Sequence, residues 1–177
     1  MSYAEDWSLK NLLGRFDAEA VPENTIEQNF FVCSELSGVE ALFEKAARNS
    51  MAGIALIADK NNVYGLGIAL EKEEVYYIPA EGLLSGEYLC EKLRKLGEAT
   101  VISAMDIKML LKYVESLEPE RVFDLGIGAY LLNPLKSSYT YEDIAREYIG
   151  GISIPSREEL LGKETYEKAW EKSSENM

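Results

Sequence analysis

The feature that most constrains this chain is a change of hydrophobic period near Pro79. Before it, three apolar runs, Gly53–Ala58 (GIALIA), Val63–Leu70 (VYGLGIAL) and Glu74–Ile78 (EVYYI), are separated only by short polar links around Lys60-Asn61-Asn62 and Glu71-Lys72-Glu73. Links this short fit hairpin connections, so the runs predict an antiparallel three-stranded meander. After it, Leu89, Leu93 and Leu96 recur at helical spacing behind a candidate N-cap at Ser85 and ahead of Gly97. Thr100–Ser103 (TVIS) then reads as a short strand, and Ile107, Leu110, Leu111 and Val114 share a helical face. Arg121–Phe123 leads into a helix stopped by Pro134. Strands that alternate with helices need crossover connections, which imply parallel members in the sheet.

Upstream, Asn29–Cys33 (NFFVC) has the composition of a strand. Ser37 and Glu40 are spaced as a capping box, and Val39, Leu42, Phe43 and Ala46 form one helical face. The expected fold is α/β: a mixed five-stranded sheet, three antiparallel strands followed by parallel ones, flanked by helices, the order of the ribonuclease H-like class. Three regions are expected. Residues 1–28 hold an apolar stripe (Trp7, Leu9, Leu12, Leu13, Phe16) and an acidic linker broken by Pro22. Residues 29–150 form the globular domain, and residues 151–177 a charged C-terminal segment.

Charge and residue usage remove several classes of function. Acidic residues outnumber basic ones 31 to 18, a net charge of -13, which opposes tight nonspecific binding to a phosphate backbone. The chain contains no histidine, so imidazole catalysis is excluded. Cys33 and Cys90 lack metal-ligand spacing and read as packing residues. Gly65, Gly67, Gly126 and Gly128 match no phosphate-loop pattern and read as sites of close backbone packing. No run of 18 apolar residues occurs, and Met1–Lys10 lacks the basic and apolar regions of a secretory signal, so a cytoplasmic location without a membrane partner is expected.

The most specific signal is Phe123-Asp124-Leu125-Gly126-Ile127-Gly128-Ala129-Tyr130-Leu131-Leu132-Asn133-Pro134, followed by Tyr139-Thr140-Tyr141-Glu142-Asp143-Ile144-Ala145. It resembles the segment after the second exonuclease motif of bacterial family A DNA polymerases of the DNA polymerase I type, where an FD-x4-AYLLNP-like helix precedes a helix with an L/IA pair. The resemblance spans roughly residues 7–165 and is strongest over 100–150. Within that family it is greatest to the degenerate 3'-5' exonuclease domains of Gram-positive polymerases. It implies a ribonuclease H-like domain that supports a polymerase domain of the same parent chain in DNA replication and repair, with DNA contacted weakly or through the parent enzyme.

Active domains of that family hold two divalent metals with four carboxylates, which activate a water and stabilise the leaving oxygen. The resemblance places the first motif, Asp-x-Glu, on Ile57 and Asp59, with a register uncertain by one residue. It places the second motif, Asn-x-x-x-Asp, on Ala104 and Lys108. At most one carboxylate stands where several are needed, and Lys108 adds positive charge where a cation should sit. Asp59 reads independently as a turn residue, Asp106 as a carboxylate at a helix N-terminus, directed about 200° away from Lys108, and Asp124 as a helix cap. Tyr139–Asp143 imitates the third motif, Tyr-x-x-x-Asp, but Thr140 and Asp143 read as cap and capping partner. The true third motif is expected beyond the chain. The expectation is a domain without catalytic residues or a bound cofactor. Two alternatives remain open: a Mg2+- or Mn2+-dependent proofreading exonuclease built from Asp59, Asp106 and Asp124 and completed beyond Met177, and a stand-alone α/β adaptor.

Overall fold

The computed structural model describes residues 30–70, 74–149, 154–166 and 168–169. The expected N-terminal packing helix, the linker and the Glu71–Glu73 connection lie outside the described residues. The strands are β1 (Phe30–Val32), β2 (Met51–Ala58), β3 (Val63–Ala69), β4 (Val75–Pro79), β5 (Val101–Ala104) and β6 (Val122–Asp124). The helices are α1 (Leu36–Ala46), α2 (Gly86–Ala99), α3 (Ile107–Leu110), α4 (Leu125–Leu132), α5 (Tyr141–Tyr148) and α6 (Arg157–Leu161).

All six strands join one sheet in the order β1-β4-β3-β2-β5-β6. The meander is antiparallel as expected, with Ile54 opposite Ile68 and Leu66 opposite Ile78. β5 lies parallel to β2, and β6 parallel to β5. The sheet therefore has six strands where five were expected. The sixth is β1, which aligns parallel to β4 through Phe30↔Val75 and Val32↔Tyr77 and continues with a Cys33 N–H donating to the Tyr77 carbonyl at 2.8 Å. The physical reason is the outer edge of β4, whose backbone groups would otherwise face water unpaired.

The core forms between the sheet and helices α1 and α2. Val39, Leu66, Ile68, Ile78, Leu89, Leu93 and Ile102 are fully buried, and a single cluster also takes in Leu84 and Val114. Both helices supply the expected apolar faces. α2 is capped as predicted, Ser85 Oγ accepting from the Tyr88 N–H at 3.2 Å.

Three local expectations are corrected. The α1 N-cap is Glu35, with no side-chain cap, so the Ser37–Glu40 box does not form; Glu40 instead accepts from Tyr88 and Lys92 on α2, joining the two helices. That environment pushes the Tyr88 hydroxyl up to about 12, first by burial and then by its bond to Glu40. Gly97 does not end α2, which runs on to Ala99. The glycine serves close approach, since a Cβ there would come within 2.5 Å of Leu117 Cδ2. The helix expected over 107–114 is one turn long, followed by turns that lead to Ser116 at φ 64°.

Candidate functional site

A groove of about 330 Å3 opens where the middle of the sheet meets α3 and the C-terminal elements. β2 forms one wall. Its pleat directs Ala55 and Ile57 to the more open side, while Ile54 and Ala58 are buried. Ala104, at the end of β5, and Met105 form the floor; Met109, Leu110 and Tyr113 from α3 and the turn after it form the far side; Tyr141 and Tyr166 close the end. The lining is mainly apolar, with Asp106 and the three tyrosines as its polar members.

Each residue expected at the site can now be placed. Ile57 and Ala104 both line this groove, so the positions matched to the first and second motifs do converge in space. Asp59, two residues beyond Ile57, lines neither this groove nor the neighbouring depression. Its Oδ1 accepts from the Asn61 and Asn62 N–H groups at 2.9 and 3.0 Å, and its Oδ2 from the Tyr64 hydroxyl at 2.8 Å. This is the turn role read from sequence. The backbone bond from Asn61, the Tyr64 hydroxyl and the Asn62 bond hold the Asp59 carboxyl below its usual value.

Lys108 is exposed on α3 and lines a shallower depression with Asp106, Asp124, Tyr130, Tyr139 and Tyr141. Asp106 and Lys108 thus border one depression, although helical spacing predicted that they point apart. The reason is that Asp106 stands outside the helix, at its N-cap, where Oδ1 accepts from the Met109 N–H at 2.9 Å. Asp124 is the junction of the region. Paired in register with Ala104, it accepts through Oδ1 from the Ile127 N–H at 2.9 Å and through Oδ2 from the Ile107 N–H at 3.0 Å. One carboxylate therefore caps both α3 and α4. Asp106 and Asp124 are brought together, but Asp59 is not brought with them.

The remaining polar groups are similarly committed to structure. Thr140 and Asp143 form the capping box of α5, and the Ser138 hydroxyl donates to Asp143 at 2.5 Å. That hydroxyl and the Thr140 backbone lower the Asp143 carboxyl. The Tyr141 hydroxyl is pushed up by burial, an effect opposed by a bond from the Met105 backbone, although 45% of the residue surface stays exposed. Cys33 and Cys90 are free and partly buried, and burial raises the Cys90 thiol.

A two-metal centre needs several carboxylates aimed at one point. Among the described residues no group of three or more His, Cys, Asp or Glu side chains could hold a metal ion. Ile57, Ala104 and Lys108 offer no ligand, and the nearest carboxylates already accept backbone N–H groups. Among the described residues, the donor set does not fit the two metals that active members of the resembling family hold.

Tyr113, Tyr141 and Tyr166 are the residues of the groove that sequence reading missed. The Tyr113 hydroxyl donates to the Asp59 carbonyl. Tyr166 lies in a helical turn started by Thr165, whose Oγ1 and carbonyl accept from the Lys168 and Ala169 N–H groups.

The mixed sheet with helices on its faces, and a groove at the β2–β5 junction, define a 3'-5' exonuclease-like fold of the ribonuclease H-like class. The EXO domain of Aedes aegypti Nibbler is similar with a TM-score of 0.56 and 12% identity, over 85% of this chain and 83% of that one. Escherichia coli RNase D, an exoribonuclease involved in structured RNA processing, is similar with a TM-score of 0.57 and 12% identity, over 80% of this chain and 40% of that one. The catalytic core of RRP6 from Trypanosoma brucei gives 0.57 and 10%, over 87% of this chain and 48% of that one. The chain thus spans most of the Nibbler domain but less than half of the other two. No protein-family model matches the chain, and no curated protein sequence does. No helix among the described residues is long and apolar enough to cross a membrane.

Proposed function

We propose that this chain is a non-hydrolytic exonuclease-like domain of a bacterial family A DNA polymerase, working in the cytoplasm as structural support for a polymerase domain of the same parent chain. The observation that carries the loss of hydrolysis is the chemistry of the groove. Ile57 and Ala104 sit on its walls, and the nearest carboxylates, Asp106 and Asp124, cap helices. Without ligands there is no metal to activate water or to neutralise the leaving oxygen.

Support for a partner domain comes from α4. Its sequence, LGIGAYLL, is apolar on every side, yet only Ala129 is buried, while Ile127, Leu131 and Leu132 are 60–74% exposed. A helix apolar all round normally has cover on both sides. The net charge of -13 keeps any DNA contact weak.

The test is incubation of the purified chain with labelled single-stranded DNA and single-stranded RNA in Mg2+ and in Mn2+. No digestion above a buffer control is expected, and calorimetric titration with Mn2+ should show no tight site. Digestion that co-elutes with the protein would overturn the proposal. The polymerase context is tested separately by the reading frame, which should continue into polymerase motifs.

A further inference from the structure

The residue order of α4 decides which side of it faces the domain. Ala129 is its buried residue, and Gly126 and Gly128 lie close to Met105 and Phe123. Ile127 and Leu131 each stand two residues from Ala129, about 200° around the helix. They therefore form one i,i+4 ridge on the side turned away from the domain. Tyr130 and Leu132 flank that ridge, and Leu135 follows just past the helix end. These five residues are 50–93% exposed, and no charged residue occurs from Leu125 to Leu135. A large side chain free of neighbours presents on the order of 200 Å2, so the five together offer roughly 700 Å2. The largest apolar patch of a typical monomer is about 300–600 Å2, whereas a stable protein interface takes about 800 Å2 from each partner. The face thus has nearly the area of one side of such an interface.

Its chemistry narrows the occupant. With no cation between Leu125 and Leu135 the stretch offers nothing to a phosphate, and with no carboxylate it offers nothing to a basic segment. A second copy of the same face does match it: a two-fold contact sets each ridge against its own equivalent, apolar on both sides and free of like charges at the centre. The charge of -13 on each chain opposes association, but charges more than about 8 Å apart are largely screened at physiological salt. We infer that two copies of this chain pair through α4, the Ile127–Leu131 ridges packing across a two-fold axis with Leu132 at the rim, where contacts exclude water and contribute little energy. The inference goes beyond the proposed function and does not depend on the loss of hydrolysis. A second copy and the polymerase domain of a parent chain are alternative covers of one helix.

Sedimentation equilibrium of the full 177-residue chain over a micromolar concentration series tests the pairing. The mass should rise toward twice the monomer's 19.8 kDa, and added NaCl should strengthen the dimer by screening the repulsion between two acidic chains. Leu131→Glu, which places a carboxylate on the ridge, should weaken association by about tenfold or more, with circular dichroism and melting temperature showing a folded chain. Val32→Glu adds the same charge at an exposed position on β1, at the opposite edge of the sheet, and should leave the dimer in place. A monomer at the top of the series, a dimer that loosens as salt is added, a folded Leu131→Glu protein that still pairs, or a Val32→Glu protein that dissociates would each overturn the pairing. The two proposals fail separately. A monomer that digests no single-stranded DNA removes the pairing and leaves the non-hydrolytic reading; a dimer that digests it with Mg2+ does the reverse.

Discussion

The meander with α1 and α2, and the corner formed by β6, α3 and α4, are held by different forces. In the first region Leu66, Ile68, Ile78, Leu89 and Leu93 are fully buried, and helix faces close over the sheet. In the second region α3 is a single turn and α4 buries only Ala129. Its geometry is set by side chains that bond backbone N–H groups, Asp106 on α3 and Asp124 on α3 and α4 together. The contrast explains the chemistry of the groove between them. Carboxylates near a catalytic cleft are informative only once their bonds are known, and here the same atoms that could hold a metal hold helix ends.

The largest effect expected from this contrast is in the core. Leu93→Ala should cost about 2–5 kcal/mol, because it leaves a cavity that neighbouring side chains fill only partly. Leu132→Ala on α4, 74% exposed in this chain, should stay within about 0.5 kcal/mol of wild type. Urea unfolding monitored by circular dichroism compares the two, and equal losses would break the distinction between the regions. Next is Asp124→Ala, which strips two helices of a cap. With each cap contributing about 0.5–2 kcal/mol, a loss of about 1–4 kcal/mol is expected, and Asp124→Asn should recover part of it. A stable Asp124→Ala protein would show that the carboxylate is not the junction described.

A smaller effect concerns pH. The Asp59 carboxyl is lowered in the folded protein by Asn61, Tyr64 and Asn62. A depressed carboxyl contributes stability above its unfolded value, about 3.9, and that contribution is lost as pH falls through the lower folded value. Asp59→Asn should therefore lie below wild type near neutral pH and converge with it in acid. Melting temperatures across pH 2–7 measure this, and parallel curves would contradict it.

What could be read from the sequence divides along the same line. Caps at Ser85, Asp106, Asp124 and Thr140 were legible because cap and N–H lie within three residues, and the meander was legible because its links are short. The α1 box failed because Glu40 finds better partners far along the chain, in Tyr88 and Lys92 on α2. Helical spacing over 107–114 was misleading because Val114 packs into the core from a turn rather than from a helix. For the site, Ile57 and Ala104 were placed from motif register, yet nothing local told that Tyr166 reaches the same groove. That contact depends on how the segment after α6 returns to the sheet, which hydrophobic period does not encode.

The smallest expected effect is also the most direct check on the groove's neighbour. Lys108 occupies the position that the resemblance gives to a metal-ligating aspartate, and its positive charge could in principle stand in for a cation. The structure gives it a different setting: exposed on the first turn of α3, in a shallow depression lined with Asp106, Asp124 and Glu142. An exposed lysine among acidic residues gains little, since solvent and salt screen such pairs and holding the long side chain costs entropy. Lys108→Ala should therefore change stability by less than about 0.5 kcal/mol in urea unfolding. A loss of several times that stability would mean that Lys108 neutralises the carboxylates around it. The second region would then be held by charge as well as by caps.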